Sequence, residues 1–174
     1  WSCVDLLRSC GGLAGDERPL VALLRSDRFV RSSGSAQRIE IYHDQIREKL
    51  AALVPPDDQR RIHGLMVRAL VARRADDPEA LYSHYRGAGD HVGASTQAAL
   101  AARKADAALA FDRAASFYRS ALELAPDSPV RFEWQQGLAE SLPNAGRPPE
   151  AAQVYREASA GAHGWRQVDL RRRA

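Results

Sequence analysis

His43 and Asp44 stand where an alternating segment gives way to a helical one, and they are the pair best suited to chemistry. A histidine can donate a hydrogen bond to phosphate, and a helix N-terminus beside it adds positive potential. The plainer role of the pair is structural: Asp44 caps the helix and His43 packs beside the preceding hairpin. A metal-dependent hydrolase built on a His-Asp pair needs a histidine earlier in the chain, and His43 is the first. His63, His84 and His91 lack the spacing of a zinc site, and no H-E-x-x-H occurs. Cys3 and Cys10 have no nucleophile motif around them and G-x-S-x-G is absent. The acids Glu40, Asp44 and Glu48 form no catalytic pair that spacing can support. Arg28, Arg31 and Arg38, with Arg25 just ahead, are the types that grip the phosphates of duplex DNA. The candidate recognition helix, residues 17–25, offers few side chains suited to base edges. A solvated hairpin or an intramolecular contact is therefore the favoured role of these arginines.

Bulk charge agrees with that reading. The 174 residues include 25 Lys+Arg and 22 Asp+Glu, a formal +3, and Arg171, Arg172 and Arg173 account for all of it. The pI of about 9.1 therefore does not mark a basic nucleic-acid binder. With 45% hydrophobic and 27% charged residues, the composition is that of a globular chain with a core. No apolar run approaches the roughly 18 residues of a membrane helix, and no signal peptide opens the chain. Cys3 and Cys10 are seven apart on one expected helix, about 10 Å between Cα atoms, too far for a disulfide. A reducing, cytoplasmic setting is the expectation. Opening at Trp1 with no Met, the chain reads as a piece of something larger. Lys49 and Lys104 are the only lysines, which points to a GC-rich genome rather than to function.

The elements that must position these residues follow from period and punctuation. Residues 1–10 read as a helix stopped by Gly11-Gly12, and Leu20, Leu23 and Leu24 repeat at helical spacing after Asp16. Phe29 to Ser32 and Arg38 to Tyr42 read as strands about a Ser33-Gly34-Ser35 turn. Two helices and a hairpin are the back half of a winged helix, expected at 1–43. The rest reads as helical, with Ile46, Leu50 and Leu53 as a buried stripe ending at Pro55-Pro56. Asp57 or Asp58 is expected to cap the next helix, with Ile62, Leu65, Met66, Ala69 and Leu70 on its inner face. Asp77-Pro78 opens another helix, Gly87-Ala88-Gly89 closes it, and Asp90 caps a further one. Beyond Ala94 alanine is frequent, which lets helices approach closely. Ala114, Tyr118 and Ala121 then recur as Ala151, Tyr155 and Ala158, an offset of 37 residues. That offset is close to the 34 of a tetratricopeptide repeat. Gly146 falls in the tight turn of the second unit, where the first has Leu109 and a poorly marked turn.

Leu24-Arg25-Ser26-Asp27-Arg28-Phe29-Val30-Arg31 and Arg38-Ile39-Glu40-Ile41-Tyr42-His43-Asp44-Gln45-Ile46-Arg47-Glu48 together resemble a recurring stretch of bacterial STAND-class signalling ATPases. Ala110-Phe111-Asp112-Arg113-Ala114 to Leu122-Glu123-Leu124 is similar to the family's first clear repeat. In that family an AAA-type nucleotide-binding module precedes a winged helix and tetratricopeptide-like repeats, and many members carry a Ser/Thr protein kinase domain. The resemblance implies a mainly α fold: a partial winged helix with its β-hairpin at 1–43, linking helices at 44–90, and a short α-solenoid of tetratricopeptide-like repeats at 91–174. It implies that His43 senses the phosphate of ADP bound by the nucleotide module. No G-x-x-x-x-G-K-[ST] loop and no kinase signature is present. The chain is thus expected to be a non-catalytic regulatory region, with no cofactor of its own and ATP or ADP held elsewhere in the parent. Its expected partners are that intramolecular module and a protein on the repeat surface, not a membrane. Tyr82, Tyr85, Phe111, Phe117, Tyr118, Trp134 and Tyr155 read first as inter-helix core, with Tyr118, Trp134 and Tyr155 the candidates for contacting the partner. A winged-helix DNA-binding regulator, a stand-alone helical-repeat adaptor and an enzyme of another type are the alternatives.

Overall fold

Local chemistry sets most of the helix boundaries. The computed structural model describes residues 22–23, 30–33, 38–41, 52–160, 169 and 172–174, and its architecture is mainly α. A short antiparallel ladder joins β1 (Val30–Ser33) to β2 (Arg38–Ile41), with Val30 opposite Ile41 and Ser33 opposite Arg38. Among the described residues six helices of at least 11 residues follow: α1 (Pro56–Ala72), α2 (Pro78–Ala88), α3 (His91–Ala107), α4 (Phe111–Leu124), α5 (Arg131–Asn144) and α6 (Pro148–Ala160).

The expected caps of α2 and α3 are in place. Asp77 accepts a hydrogen bond from the Ala80 amide at 3.0 Å, and Asp90 accepts one from the Gly93 amide at 2.8 Å. Gly89 ends α2 in the left-handed region, at φ 79°. The expected cap of α1 differs. Its N-cap is Pro55, with no side-chain bond, and Asp57 and Asp58 lie inside the first turn. Pro56 takes the first helical position, where its missing N–H costs nothing, and the two acids act on the helix dipole instead. Val67 and Ala69 are the buried residues of α1, while Ile62 of its expected inner face is exposed, as is Leu53 of the expected buried stripe ahead of it.

The chain divides into two compact units, Trp1–Ala75 and Asp76–Ala174. In the second unit α2 packs directly on α3. Within it each helix from α2 to α6 packs on the next, and α3 also touches α5. α3 is buried on more than one side, and alanine makes that close approach feasible: Ala94, Ala98 and Ala102 have no exposure at all. The core joins these alanines to Tyr82, Ala115, Tyr118, Trp134, Leu138 and Leu142.

The 37-residue register carries through the packing. Ala114, Tyr118 and Ala121 of α4 are buried, and so are Ala151, Tyr155 and Ala158 of α6. The same shift takes buried Ala101, Ala102 and Ala105 of α3 onto buried Leu138, Ala139 and Leu142 of α5. Two helix pairs therefore repeat one packing scheme with different side-chain volumes. Leu109 and Gly146 hold equivalent turns before α4 and α6, both left-handed, at φ 59° and 75°. The first turn is as sharp as the second, although a β-carbon makes it costly.

Candidate functional site

The sequence candidates fall in three places. His43 and Arg28 lie outside the described residues. Arg31 is in β1, opposite Glu40, and Arg38 is in β2. Tyr118, Trp134 and Tyr155, expected to contact a partner, are core residues, only 5%, 4% and 8% exposed. Each stands on a helix face that neighbouring helices cover, Tyr118 and Trp134 in the main core and Tyr155 against Ala139 and Phe132 of α5. Burial pushes the Tyr118 phenol above its ordinary value, and the nearby Asp106 charge adds to the rise.

A polar cluster surrounds that phenol, where α3, α4 and α5 meet. The charged Arg103 and Asp106 side chains lie near the Tyr118 hydroxyl, Asp106 raising its pKa and Arg103 opposing the rise. Ser141 Oγ lies 2.8 Å from both Asp106 Oδ1 and the Gly137 carbonyl, so its one proton serves one acceptor at a time. Arg103 Nη2 reaches Glu133 Oε2 at 3.5 Å. These bonds satisfy polar groups at a helix junction and hold α3 to α5.

An open cleft of about 200 Å³ lies between the start of α2, the last turns of α3 and the start of α4. Local chemistry builds each wall. The Asp77 cap and Pro78 fix the direction of α2, and the left-handed Leu109 turns the chain from α3 into α4. Ala101, Ala105 and Ala108 form an apolar floor, and Phe117 closes it. Phe117 is held edge-on against Tyr82, with ring centres 5.7 Å apart.

The rim is charged on both sides. Glu79 accepts hydrogen bonds from Arg113, whose guanidinium also lies 5.9 Å from the Phe117 ring centre. That bond, reinforced by the Glu79 charge, raises the Arg113 pKa above its ordinary value. Lys104 Nζ donates to the Asp76 carbonyl at 2.9 Å and to Asp76 Oδ2 at 3.4 Å. The sequence reading passed over Asp76, Glu79, Lys104 and Arg113, because their pairings span 28 and 34 residues. The 37-residue period was the signal available, since it places residues about one repeat apart on neighbouring elements. Such a cleft can bind an apolar side chain and a charged group together.

Among the described residues no three His, Cys, Asp or Glu side chains gather as a metal site would require. No described helix is long and apolar enough to cross a membrane. The fold and cleft define a stack of repeated helix pairs. Neither a protein-family model, nor a curated protein, nor a solved structure matches the chain.

Proposed function

We propose that this chain is the non-catalytic regulatory and protein-interaction region of a multidomain, cytoplasmic signal-transduction ATPase. In this reading residues 1–43 are a partial winged helix with the β1–β2 ladder as its wing, and the helix pairs are tetratricopeptide-like. The observation that carries the reading is the 37-residue recurrence of Ala114, Tyr118 and Ala121 as Ala151, Tyr155 and Ala158, buried in both copies. Repeated helix pairs offer extended surfaces on which protein partners dock. The segment from Arg38 to Glu48, with its resemblance to STAND-class proteins, supports the ATPase part. There the winged helix holds the nucleotide module closed, His43 donates to the phosphate of ADP, and exchange for ATP shifts the population towards the open form.

Nucleotide content of the purified full-length protein tests this. The wild type is expected to carry ADP, and His43→Asn to release it faster. A full-length protein that retains no nucleotide refutes the ATPase reading, and an unchanged release rate refutes the role of His43.

A further inference from the structure

We propose that the exposed face of α1 docks an acidic protein segment that carries one aromatic ring. Arg60, Gly64 and Arg68 stand at i, i+4 and i+8, with Arg61 and Val71 beside them, so all five share one face. Gly64 makes a notch in the middle of that face, about 6 Å along the axis from Arg60 and from Arg68. Its φ is not left-handed, and a β-carbon there would meet no described atom within 4 Å. Glycine is a poor helix former, and here neither backbone geometry nor a described neighbour accounts for it. The same chain shows what such a notch can hold. At Gly93 and Gly137, also inside helices, the space of the missing side chain is taken by a ring of the preceding helix, Tyr85 and Tyr118. Gly64 offers the same seat with no described ring in it.

Charge selects the rest of the occupant. Residues 59–75 hold five arginines and no acid. Asp57 and Asp58, ahead of them, pair with Arg60 and Arg61, and such solvent-exposed pairs are weak. Arg68 and Arg74 are exposed, and no described carboxylate pairs with either. The face thus has a positive surplus, so an acid gains partners there and a base is repelled. A ring among guanidinium groups adds cation–π attraction, as Phe117 has with Arg113 at 5.9 Å. Val71, 52% exposed, extends the face towards the end of α1. A peptide side chain covers it, whereas the phosphates of a nucleic acid would set charge against it. The surface therefore favours a protein partner.

The test uses the whole chain and fluorescence anisotropy. Three short labelled peptides share a Gly/Ser frame: tyrosine between pairs of glutamates, alanine between pairs of glutamates, and tyrosine between pairs of arginines. A labelled single strand of thymidines is the fourth probe. The first peptide is expected to bind, and more weakly as salt rises. Replacing its tyrosine by alanine should weaken binding about tenfold, the scale of burying part of one aromatic side chain. The arginine peptide should bind more weakly still. Arg68→Gln should cost the first peptide about two- to fivefold, the scale of one exposed ion pair. Gly64→Ala should cost it about tenfold by filling the seat, while raising the melting temperature read by circular dichroism. A glycine with a merely structural role would not move binding and stability in opposite directions. The proposal is overturned if the first peptide does not bind, or if Gly64→Ala leaves its binding unchanged. It is equally overturned if the alanine peptide, the arginine peptide or the thymidine strand binds as tightly. Retained ADP in the full-length protein with no peptide binding removes this surface alone.

Discussion

A β-carbon added to Gly137 would stand 2.7 Å from Tyr118 Oη and 2.8 Å from its Cε1. The tyrosine of α4 thus lies flush against the backbone of α5, in space that only glycine leaves open. The α2–α3 junction repeats the arrangement, where a β-carbon on Gly93 would stand 2.6 Å from Tyr85 Cε1. In both cases a ring on one helix is seated on a glycine of the next.

Gly137→Ala should therefore destabilise the chain, although alanine is the better helix former by about 1 kcal/mol. Overpacking costs about 1–3 kcal/mol and outweighs that gain. In a Tyr118→Leu background, with the ring gone, the same change should stabilise relative to its parent. Urea unfolding of the four chains as a double-mutant cycle measures the coupling. Additive effects would show that the seat is not what fixes this junction.

Leu109→Gly should raise stability by about 1 kcal/mol, because a β-carbon in the left-handed region is strained by that order. Leu109 is 74% exposed, so little packing is lost. Gly146→Ala, at φ 75°, should lower stability by a similar amount, about 1 kcal/mol. Thermal melts of both variants check the pair. A destabilised Leu109→Gly would contradict the equivalence of the two turns.

Alkaline unfolding should report on Tyr118. Its phenol titrates above the ordinary 10.0 in the folded chain, chiefly through burial and then through the charge of Asp106. Below the unfolded value both states hold the proton and stability is unaffected. As pH rises past about 10 the unfolded chain ionises first, so stability falls until the folded phenol also titrates. Tyr118→Phe should flatten this fall. Urea midpoints of both chains through the alkaline range test it, and parallel curves would rule it out.

Much of the helical part was legible in local chemistry. Asp77, Asp90 and Gly89 mark boundaries by hydrogen bonds and by φ, both properties of a few adjacent residues. The offset between Ala114 and Ala151 was legible because both copies kept the same small and aromatic residues. The contribution of α2 was harder to see. Buried Tyr82 lies 36 residues before Tyr118, but Pro78 and Tyr85 stand where the later copies have alanine, so the pattern is disguised. Helical spacing placed Tyr118, Trp134 and Tyr155 on helix faces and could not tell which of those faces another helix covers. The cleft escaped notice for a related reason: Lys104 meets Asp76, and Arg113 meets Glu79, only once the helices stack.

Among the described residues three ion-paired bridges each connect a helix to the second one along. Glu79 bonds to Arg113, Arg103 to Glu133 and Arg119 to Glu150, over separations of 34, 30 and 31 residues. Such short reach lowers the entropy of loop closure and favours rapid folding from any internal pair. It also gives the stack a mechanical character. Tension applied to its ends loads one interface at a time, so it should peel away helix by helix at low force, like a zip fastener, and close again in the same order on release.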